Sequence, residues 1–369
     1  MKVLVTGANG HVGNNLCRAL LERGHQVRAS VRSLADPTRR APLEGLQGLD
    51  LCELDVRDAA RFDEATRDIE ILFHVAATYS TYTGSRQADE SMVRDSVEGA
   101  ENALRSAAQN GVRKVVLTSS MMTLPFRPRG QVPATENDWQ TDLRLPYVRA
   151  KTLAERSAWQ LSAELGVQLV SVLPSAIGGP GFYRRTGTTD IIEGIMLGTM
   201  RFGAPPGDFA WVDVRDVARG HVLAAERDVT GRFYLCNDTI PSFVELTRML
   251  HQIDRTIPAA PRALPETLVG VLPALDALNA MVLGSPRVMS AELVALVRGS
   301  VLPNDNSRAK TELGWKPEIP LEVSLSDTID ALRALRRAEG KPLRVFARSR
   351  SSVAVAREAG RGQRPPPTA

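Results

Sequence analysis

The chain has 369 residues, of which 43% are hydrophobic and 24% are charged, and its formal net charge is +4. These values are typical of a soluble globular protein with a large core, built as one large domain or two unequal ones. Residues 338–369 contribute +5 of the charge, with seven basic and two acidic side chains, so residues 1–337 sum to −1. This balance argues against a nucleic-acid partner for the folded part.

The first run of residues predicts a strand, a glycine turn and a helix. A β-branched run, Lys2–Val5, precedes three glycines, and an amphipathic stretch then continues to Gly24. Such a turn lets the backbone approach a pyrophosphate, which the free N–H groups of the helix N-terminus bind. The spacing is G-x-x-G-x-x-G rather than G-x-G-x-x-G, and glycine turns without ligands are common, but this position favours a dinucleotide site. The predicted contacts are Gly7, Asn9, Gly10, His11, Val12 and Gly13.

The end of the second predicted strand, Gln26–Val31, indicates which dinucleotide binds. An acidic residue that holds the adenosine ribose of NAD is typical here, but the sequence places Arg32 at this point instead. A guanidinium suits a ribose 2′-phosphate because it binds a dianion with two parallel hydrogen bonds, and Arg39 and Arg40 could contribute. We therefore predict NADP, and NAD is the alternative if these arginines are ordinary surface charges.

The third predicted strand, Cys52–Val56, precedes a helix at Ala59–Ala65. Asp55, near the end of this strand, could accept a hydrogen bond from the adenine amino group. It could equally be a turn residue before the helix, and the spacing leaves both interpretations open.

The fourth predicted strand, Ile69–Ala77, is apolar and buried. Its small final residues, Ala76 and Ala77, leave room for a cofactor at the carboxyl end of the strand, where ligands bind in open parallel sheets. His74 lies inside the apolar run, so we predict a hydrogen-bonded core histidine rather than a catalytic one.

The following elements continue the alternation of strand and helix. They are the helix Met92–Asn110, the strand Lys114–Ser119, the helix Pro146–Leu165 and the strand Gln168–Pro174. This order predicts an α/β fold with a doubly wound parallel sheet.

The regular alternation of strand and helix ends after Ser175. The predicted elements are a helix at Asp190–Leu197, a strand at Ala210–Val214, a helix at Arg215–Glu226, a strand at Arg232–Cys236 and a helix that Ser242 caps and that ends at Ile253. Residues 258–337 are predicted to be mostly helical. The apolar stretch Leu268–Leu283 is too short for a membrane span and is interrupted by Pro273 and Asp276, so we predict a packed or lid-like helix over the substrate.

The domain prediction follows from this order. Residues 1–174 form the dinucleotide-binding core, to which residues 207–237 return. Residues 175–206 and 238–337 form a smaller, mostly helical substrate-binding lobe. The Arg-, Ser-, Gly- and Pro-rich stretch 338–369 is predicted to be a disordered basic tail.

The cysteines, the histidines and the start of the chain predict the compartment and the absence of a metal. Cys17, Cys52 and Cys236 lie far apart, which indicates a reduced, cytoplasmic protein without a disulfide framework. The five histidines show no metal-ligand spacing, so we predict no metal. Met1 precedes the first strand directly, so we predict no signal peptide.

Three side chains are predicted to carry chemistry. Tyr147 and Lys151 are four residues apart at the start of a helix and share a face, and Ser120 follows a sheet strand. A nearby ammonium and a positive nicotinamide would lower the tyrosine pKa, so that Tyr147 acts as general acid or base on a carbonyl or an alcohol. Ser120 would hold the same oxygen and Lys151 the nicotinamide ribose. A surface i,i+4 pair is the alternative, but the order of turn, serine and tyrosine-lysine favours catalysis.

The sequence resembles an extended short-chain dehydrogenase/reductase of the NAD-dependent epimerase/dehydratase superfamily, from Met1 to about Leu335. The motifs that carry the resemblance are Thr6-Gly7-Ala8-Asn9-Gly10-His11-Val12-Gly13, Phe73-His74-Val75-Ala76-Ala77, Thr118-Ser119-Ser120, Tyr147 to Lys151, Trp211-Val212-Asp213-Val214-Arg215-Asp216-Val217-Ala218 and Leu313-Gly314-Trp315-Lys316-Pro317. Within it the chain is similar to the dihydroflavonol 4-reductase-like branch, through Val27–Arg32, Lys151–Glu155 and Leu173–Pro180.

The resemblance implies a Rossmann fold with Ser120, Tyr147 and Lys151 as the catalytic set. It places Ser175 near the nicotinamide and Val75 and Ala76 along the cofactor. The remaining predicted cofactor contacts are Val56, Ala77, Ser119, Pro174 and Ile177. Many relatives form homodimers through sheet-flanking helices, and this chain alone leaves that open.

The leading functional prediction is an NADPH-dependent carbonyl reductase, or the reverse alcohol dehydrogenase, for an apolar or ring-shaped small molecule. Apolar and aromatic residues in predicted loops at the active rim support it, namely Tyr79, Tyr82, Met121, Phe126, Ile177, Phe182 and Tyr183. The second prediction is a sugar-nucleotide epimerase or dehydratase. Its diphosphate would need basic residues, and Arg184, Arg185, Arg201 and Arg287 are available. Three departures from such epimerases count against it: Pro174-Ser175, Met122-Thr123-Leu124 and Ser96. A non-catalytic dinucleotide sensor is the third, and the intact Tyr147 and Lys151 argue against it.

Overall fold

The computed structural model describes residues 1–77 and 85–341. The strands in this part of the chain are β1 (Lys2–Thr6), β2 (Gln26–Val31), β3 (Leu49–Glu53), β4 (Ile71–His74), β5 (Lys114–Thr118), β6 (Arg127–Pro128), β7 (Gln168–Pro174), β8 (Ala176–Gly178), β9 (Trp211–Asp213), β10 (Gly231–Leu235) and β11 (Ser300–Val301). The α-helices are α1 (His11–Glu22), α2 (Pro37–Arg40), α3 (Ala59–Ala65), α4 (Arg86–Gln109), α5 (Pro146–Leu165), α6 (Gly187–Met196), α7 (Val214–Glu226), α8 (Phe243–Ile253), α9 (Leu272–Leu283), α10 (Ala291–Val297) and α11 (Leu321–Ala338). Short 3₁₀ turns at Ala41–Leu43, Met121–Thr123 and Glu266–Val271 and a π turn at Ala309–Leu313 complete the elements.

Seven strands form a parallel sheet in the order β10-β7-β5-β4-β1-β2-β3. The chain moves outward from β1 through β2 to β3, and then returns to β4 on the other side of β1. The strand order therefore reverses between β1 and β4, and such a reversal opens a crevice at the carboxyl ends of the strands. The α/β doubly wound fold predicted from the sequence is confirmed.

Helices cover both faces of the sheet, because successive strand residues point to opposite sides. On one face α1 and α7 pack together over Val3, Val5 and Phe73. On the other face α3, α4 and α5 pack over Leu4 and Leu72. Burial on both sides explains why the central strands are continuous apolar runs.

A separate apolar cluster forms beside the carboxyl edge of the sheet. It joins α6, α8 and α11 around Trp211 of β9, whose indole N–H donates to Ser324 Oγ at 2.9 Å. The pairs β8–β9 and β6–β11 are two small additional sheets. The proposed division into core and substrate lobe remains a prediction, which this cluster supports.

The predicted boundaries of β2, α3, α5 and β7 are confirmed, and those of β3, β4, α4 and α6 are wrong. α6 begins at Gly187 rather than Asp190, because Thr186 caps it. β3 begins and ends earlier than the predicted Cys52–Val56, because it pairs with β2 from Val27↔Leu49 to Val31↔Glu53 and ends with it. β4 stops at His74 rather than Ala77. α4 begins at Arg86 rather than Met92, since Ser85 caps it and its first turns are exposed and carry no apolar pattern.

The segment predicted to be a lid consists of the 3₁₀ turn Glu266–Val271 and α9. We call these residues, Glu266–Leu283, the lid segment. Val269 and Leu272 are buried in it and line the large cavity discussed next. No helix within residues 1–77 and 85–341 combines the length and the apolar character needed to cross a bilayer.

Candidate active site

The glycine turn after β1 is too tight for side chains at two of its positions. Gly7 has a φ of +65°, and a Cβ there would lie 2.8 Å from Ala76 Cα. A Cβ on Gly13 would lie 2.2 Å from the Gly7 carbonyl oxygen. Thr6 fixes the facing loop, since its Oγ1 accepts hydrogen bonds from the N–H groups of Val75 and Ala76 at 3.1 Å each. The turn therefore presents bare backbone at the N-terminus of α1.

One cavity of about 890 Å³ follows the carboxyl edge of the sheet. Residues just after β1, β2, β3, β4, β5 and β7 all line it. Its lining includes the three predicted catalytic residues and these predicted cofactor contacts: Gly7, Asn9, Gly10, His11, Val12, Gly13, Arg32, Asp55, Val56, Val75, Ala76, Ala77, Ser119, Ser120, Tyr147, Lys151, Pro174, Ser175 and Ile177. The structure thus brings together residues that the sequence spreads over more than half of the folded chain.

Arg32 lies at the end of the cavity beside β2. Its side chain is exposed, and within the described residues it has neither a hydrogen bond nor an ion pair. Arg39 also lines the cavity but is bound to Asp36 at 3.0 Å, and Arg40 is not among the lining residues. Arg32 is therefore the cation best placed to bind an anion here.

Of the two alternatives for Asp55, the structure shows the turn residue. Its carboxylate accepts hydrogen bonds from Arg57 Nε and Nη2 at 3.0 and 2.6 Å, and from the Arg57 backbone N–H at 3.1 Å. The hydrogen bonds from Arg57 lower the pKa of Asp55 to about 2. Asp55 also lines the cavity, so its contact with adenine stays a prediction.

Two features of this structure fit a bound dinucleotide. Gly10 gives α1 an N-terminus without a side-chain cap, which leaves its N–H groups available to an anion. Ser175 is buried, yet its Oγ has no hydrogen-bond partner among the described residues. A buried hydroxyl without a partner is costly, and a polar group of a ligand would satisfy it.

Ser120, Tyr147 and Lys151 come together where β5 ends against the first turns of α5. The Tyr147 hydroxyl shares a hydrogen bond with the Ser120 side chain, and both residues are buried. The Lys151 ammonium donates to the Thr118 carbonyl at 2.9 Å. Helix α5 begins at Pro146, so Tyr147 and Lys151 lie in its first turns, beside the end of β5.

The protonation states differ from the sequence-based expectation. Burial raises the pKa of Tyr147 to about 12, although its hydrogen bond with Ser120 opposes the shift. The expected lowering of this pKa is therefore wrong for the polypeptide itself, because desolvation of the phenolate outweighs the attraction of nearby groups. Burial also lowers the pKa of Lys151 to about 8, and the carboxylate of Glu155 opposes this shift. At neutral pH Tyr147 is protonated and most Lys151 side chains carry a charge.

A buried ion pair that sequence reasoning missed supports these residues. Glu155 accepts a hydrogen bond from Ser119 Oγ at 2.6 Å and one from Arg232 Nε at 2.9 Å. Glu155 follows Lys151 by four residues, and Arg232 is a charge inside a buried apolar strand. Those two signals together predict a buried salt bridge, since charges are rarely buried unless they are paired.

Arg232 links three parts of the site. Its guanidinium donates to the carbonyls of Glu136 and Asp138 at 2.8 and 2.6 Å and to Thr123 Oγ1 at 2.7 Å. It also lies 3.8 Å from the centroid of the Trp139 ring. The loop before α5, the turn after Ser120 and strand β10 are thereby held in one arrangement.

Two buried histidines brace the strand ends and remain neutral. His74 Nδ1 lies 3.1 Å from Thr6 Oγ1, which confirms the predicted core histidine. His221 lies 2.7 Å from Thr118 Oγ1 and binds the Val217 carbonyl through its other nitrogen. Burial lowers the pKa values to about 3 and about 4, respectively. Within the described ranges, no three His, Cys, Asp or Glu side chains lie close enough together to hold a metal ion.

Apolar side chains make up a large share of the cavity lining. Of the predicted rim residues, Met121, Phe126, Ile177 and Tyr183 line it, together with Val269 and Leu272 of the lid segment. The prediction for Phe182 is wrong, because its ring packs edge-on against the imidazole of His11 at 5.3 Å instead. Tyr79 and Tyr82 lie outside the described residues.

Two of the four arginines that were candidates for binding a sugar diphosphate line the cavity. Arg184 and Arg185 line the cavity, but Arg185 is bound by the carboxylates of Glu193 and Glu339. Arg201 and Arg287 are not among the lining residues: one lies over the Phe202 ring and the other is 3.6 Å from Asp276. Of the four, only Arg184 both lines the cavity and has no acidic partner among the described residues, so the arginine cluster that a diphosphate would use is incomplete.

Comparison with known proteins places the chain in a family. Residues 3–236 match the NAD dependent epimerase/dehydratase family. The chain is 37% identical over 271 residues to cinnamoyl-CoA reductase 1 of Oryza sativa subsp. japonica, covering 70% of this chain and 77% of that protein. It is 33% identical over 324 residues to sterol demethylase protein B of Methylococcus capsulatus, covering 86% and 94%.

Among solved structures, that of gox2253 superposes with a TM-score of 0.75 at 29% identity, covering 92% of this chain and 99% of that one. The fold, the matched residues and these relatives agree with the resemblance that the motifs carry. The chain belongs to the NAD dependent epimerase/dehydratase family, in the dihydroflavonol 4-reductase-like branch of the extended short-chain dehydrogenases/reductases.

Proposed function

We propose that the protein is an NADPH-dependent reductase that converts the carbonyl group of an apolar, ring-bearing small molecule into an alcohol. The observation that carries the proposal is the hydrogen-bonded Tyr147–Ser120 pair in a cavity that also contains the bare glycine turn. The relative from rice, which is named a cinnamoyl-CoA reductase, supports this reaction class.

The cofactor would lie along the edge of the sheet from Arg32 to Ser175. The uncapped N-terminus of α1 would bind its pyrophosphate, and Arg32 would bind the 2′-phosphate that distinguishes NADPH from NADH. The buried Ser175 hydroxyl would form a hydrogen bond with the nicotinamide end of the cofactor. Bound NADPH supplies the hydride that reduces the carbonyl carbon.

The proton for the alcohol would come from Tyr147. Its raised pKa keeps the phenol protonated at neutral pH, which is the state that a general acid for carbonyl reduction needs. The Ser120 hydroxyl would hold the same substrate oxygen and stabilise the negative charge that develops on it. Lys151, charged below a pH of about 8, would favour the tyrosinate left after proton transfer and bind the nicotinamide ribose.

The substrate would be apolar next to its carbonyl. Met121, Phe126, Val269 and Leu272 form walls that bury hydrocarbon, and such walls orient a ring by shape. Sterol demethylase protein B, to which the chain is also similar, is named for a substrate of this kind. Aromatic, terpenoid and steroid-like ketones or aldehydes are therefore the first compounds to test.

A screen of NADPH consumption over apolar ketones and aldehydes tests the proposal, with nucleotide sugars as controls. We expect turnover of one or more ring-bearing carbonyl compounds and no conversion of UDP-glucose. Conversion of a nucleotide sugar without net NADPH oxidation would contradict the proposal and favour an epimerase.

A further inference from the structure

The outer surface of the lid segment is unusually apolar for a protein surface. Among the described residues, twelve large apolar side chains are exposed, and six of them lie on this segment: Leu268, Val271, Leu275, Leu278, Met281 and Val282. Leu278, Val282 and Met281 are 50%, 67% and 78% exposed. Single exposed apolar side chains are common, but a contiguous group of this size marks an interaction surface.

Two neighbouring segments extend this surface. Phe202 is 76% exposed. The segment that contains it is hydrogen-bonded to the residues before the lid segment, because the Leu264 N–H donates to the Ala204 carbonyl at 2.8 Å. Val132 is 75% exposed and follows the turn after β6. Arg129 of that turn forms an ion pair with Glu266 of the lid segment at 3.0 Å. We call the six side chains of the lid segment, Phe202 and Val132 together the apolar patch.

Helix α9 buries its charged side chain and exposes apolar ones, whereas a surface helix usually does the reverse. Its one charged residue, Asp276, points inward and accepts hydrogen bonds from the N–H groups of Val288 and Met289 at 3.2 Å each. Leu275, Leu278, Met281 and Val282 face outward, whereas Leu272 is buried. A helix that is apolar on all sides is normally covered on all sides, so a partner is expected on the outer face.

Two arginines lie beside the apolar patch and are available to an anion, although Glu292 of the neighbouring α10 is an exposed acid. Arg201, which lies 4.5 Å from the Phe202 ring centroid, and Arg262 have no acidic partner among the described residues. The two acids of the lid segment are neutralised, since Glu266 is paired with Arg129 and Asp276 is buried.

We propose that the apolar patch docks on an anionic lipid bilayer, with the lid segment lying in the interface rather than spanning it. Aliphatic side chains would enter the headgroup region, and Arg201 and Arg262 would contact lipid phosphates. This proposal does not depend on the reaction catalysed, but it suits an apolar substrate. The inner side of the same segment lines the cavity through Val269 and Leu272, so a substrate dissolved in the bilayer would have a short path to Tyr147.

Flotation of the full-length protein with lipid vesicles tests the proposal. The vesicles contain phosphatidylcholine with or without phosphatidylserine. The test variant is Leu278→Ser with Met281→Ser, and Phe202→Ser is a second, independent variant. The matched control is Leu165→Ser with Val323→Ser, which removes two half-exposed apolar side chains from α5 and α11 outside the patch. NADPH binding and the melting temperature check that each variant is folded.

We expect the wild type to float with anionic vesicles and to bind vesicles of phosphatidylcholine alone about tenfold more weakly. The Leu278→Ser, Met281→Ser variant should lose about tenfold in vesicle affinity, while the control variant binds like the wild type. Wild-type protein that stays with the lipid-free fraction would overturn the proposal, as would equal binding by test and control variants. A lipid-independent dimer in sedimentation velocity, abolished by Leu278→Ser with Met281→Ser, would show that a second copy covers the patch instead.

Discussion

Breaking the buried Glu155–Arg232 pair should destabilise the protein strongly and also change the pH dependence of catalysis. Both side chains are almost fully buried, so solvent does not screen them. Glu155→Leu removes the carboxylate and leaves the guanidinium charged. Arg232→Met leaves a buried carboxylate to which, among the described residues, only the Ser119 hydroxyl still donates. Removing one member of a buried pair is costly because the other charge cannot regain its hydration.

The contacts of each member set the expected size of the loss. After Glu155→Leu, two carbonyls, Thr123 and the Trp139 ring still contact Arg232, so the loss should lie near the lower end for buried pairs, about 3 kcal/mol. The Ser119 hydroxyl loses its acceptor, which adds about 1 kcal/mol. Arg232→Met should cost about 5 kcal/mol. The double variant should cost about 2–3 kcal/mol less than the sum, since neither charge is then left unpaired.

Urea unfolding followed by tryptophan fluorescence measures these free energies, and Trp139 next to Arg232 makes the signal sensitive to the pair. In the Glu155→Leu variant the pKa of Lys151 should fall further, because the carboxylate that raises it is gone. The falling limb of kcat/KM should therefore move to lower pH. A loss below about 1 kcal/mol for Glu155→Leu, or strict additivity in the double variant, would refute the reasoning.

Three other predictions follow from the cofactor side of the cavity and from Lys151. Arg32→Asp should weaken NADPH binding by about tenfold to a hundredfold and spare NADH, measured by cofactor fluorescence, and equal losses for both would exclude contact with the 2′-phosphate. Gly13→Ala should abolish binding of either cofactor and lower the melting temperature, since its Cβ would collide with the Gly7 carbonyl, and a melting curve like that of the wild type would contradict this. For wild-type reduction, kcat/KM should fall as the pH rises through about 8, where Lys151 loses its proton, whereas Tyr147 stays protonated until about 12. A flat profile up to pH about 10 would show that the charge on Lys151 is not needed.

The sequence was sufficient for the parts of the fold that depend on local pattern. The strand β1, the turn at Gly7 and the helix α1 follow each other within a few residues, so their chemistry is visible without tertiary information. Ser120, Tyr147 and Lys151 were predictable because strand ends of a parallel sheet share one edge, and a helix start beside that edge brings its first side chains there.

Features that depend on packing across the chain were not predictable. The exposed side chains of β3 gave no signal for its boundaries, which pairing with β2 decides. The raised pKa of Tyr147 reflects burial by residues distant in sequence, and Phe182 turns toward His11 because the loop after β8 packs on α1. The cytoplasmic location and the homodimer remain predictions.

The most direct test of the central claim compares the wild type with Tyr147→Phe in NADPH-dependent reduction of the best carbonyl substrate, with the Kd for NADPH measured alongside. The phenyl ring keeps the shape of the buried side chain and removes only the hydroxyl that binds Ser120. We predict that kcat/KM falls about 10²- to 10⁴-fold while the Kd for NADPH changes by less than about twofold. Unchanged kcat/KM in Tyr147→Phe would contradict the role of this residue as the proton donor.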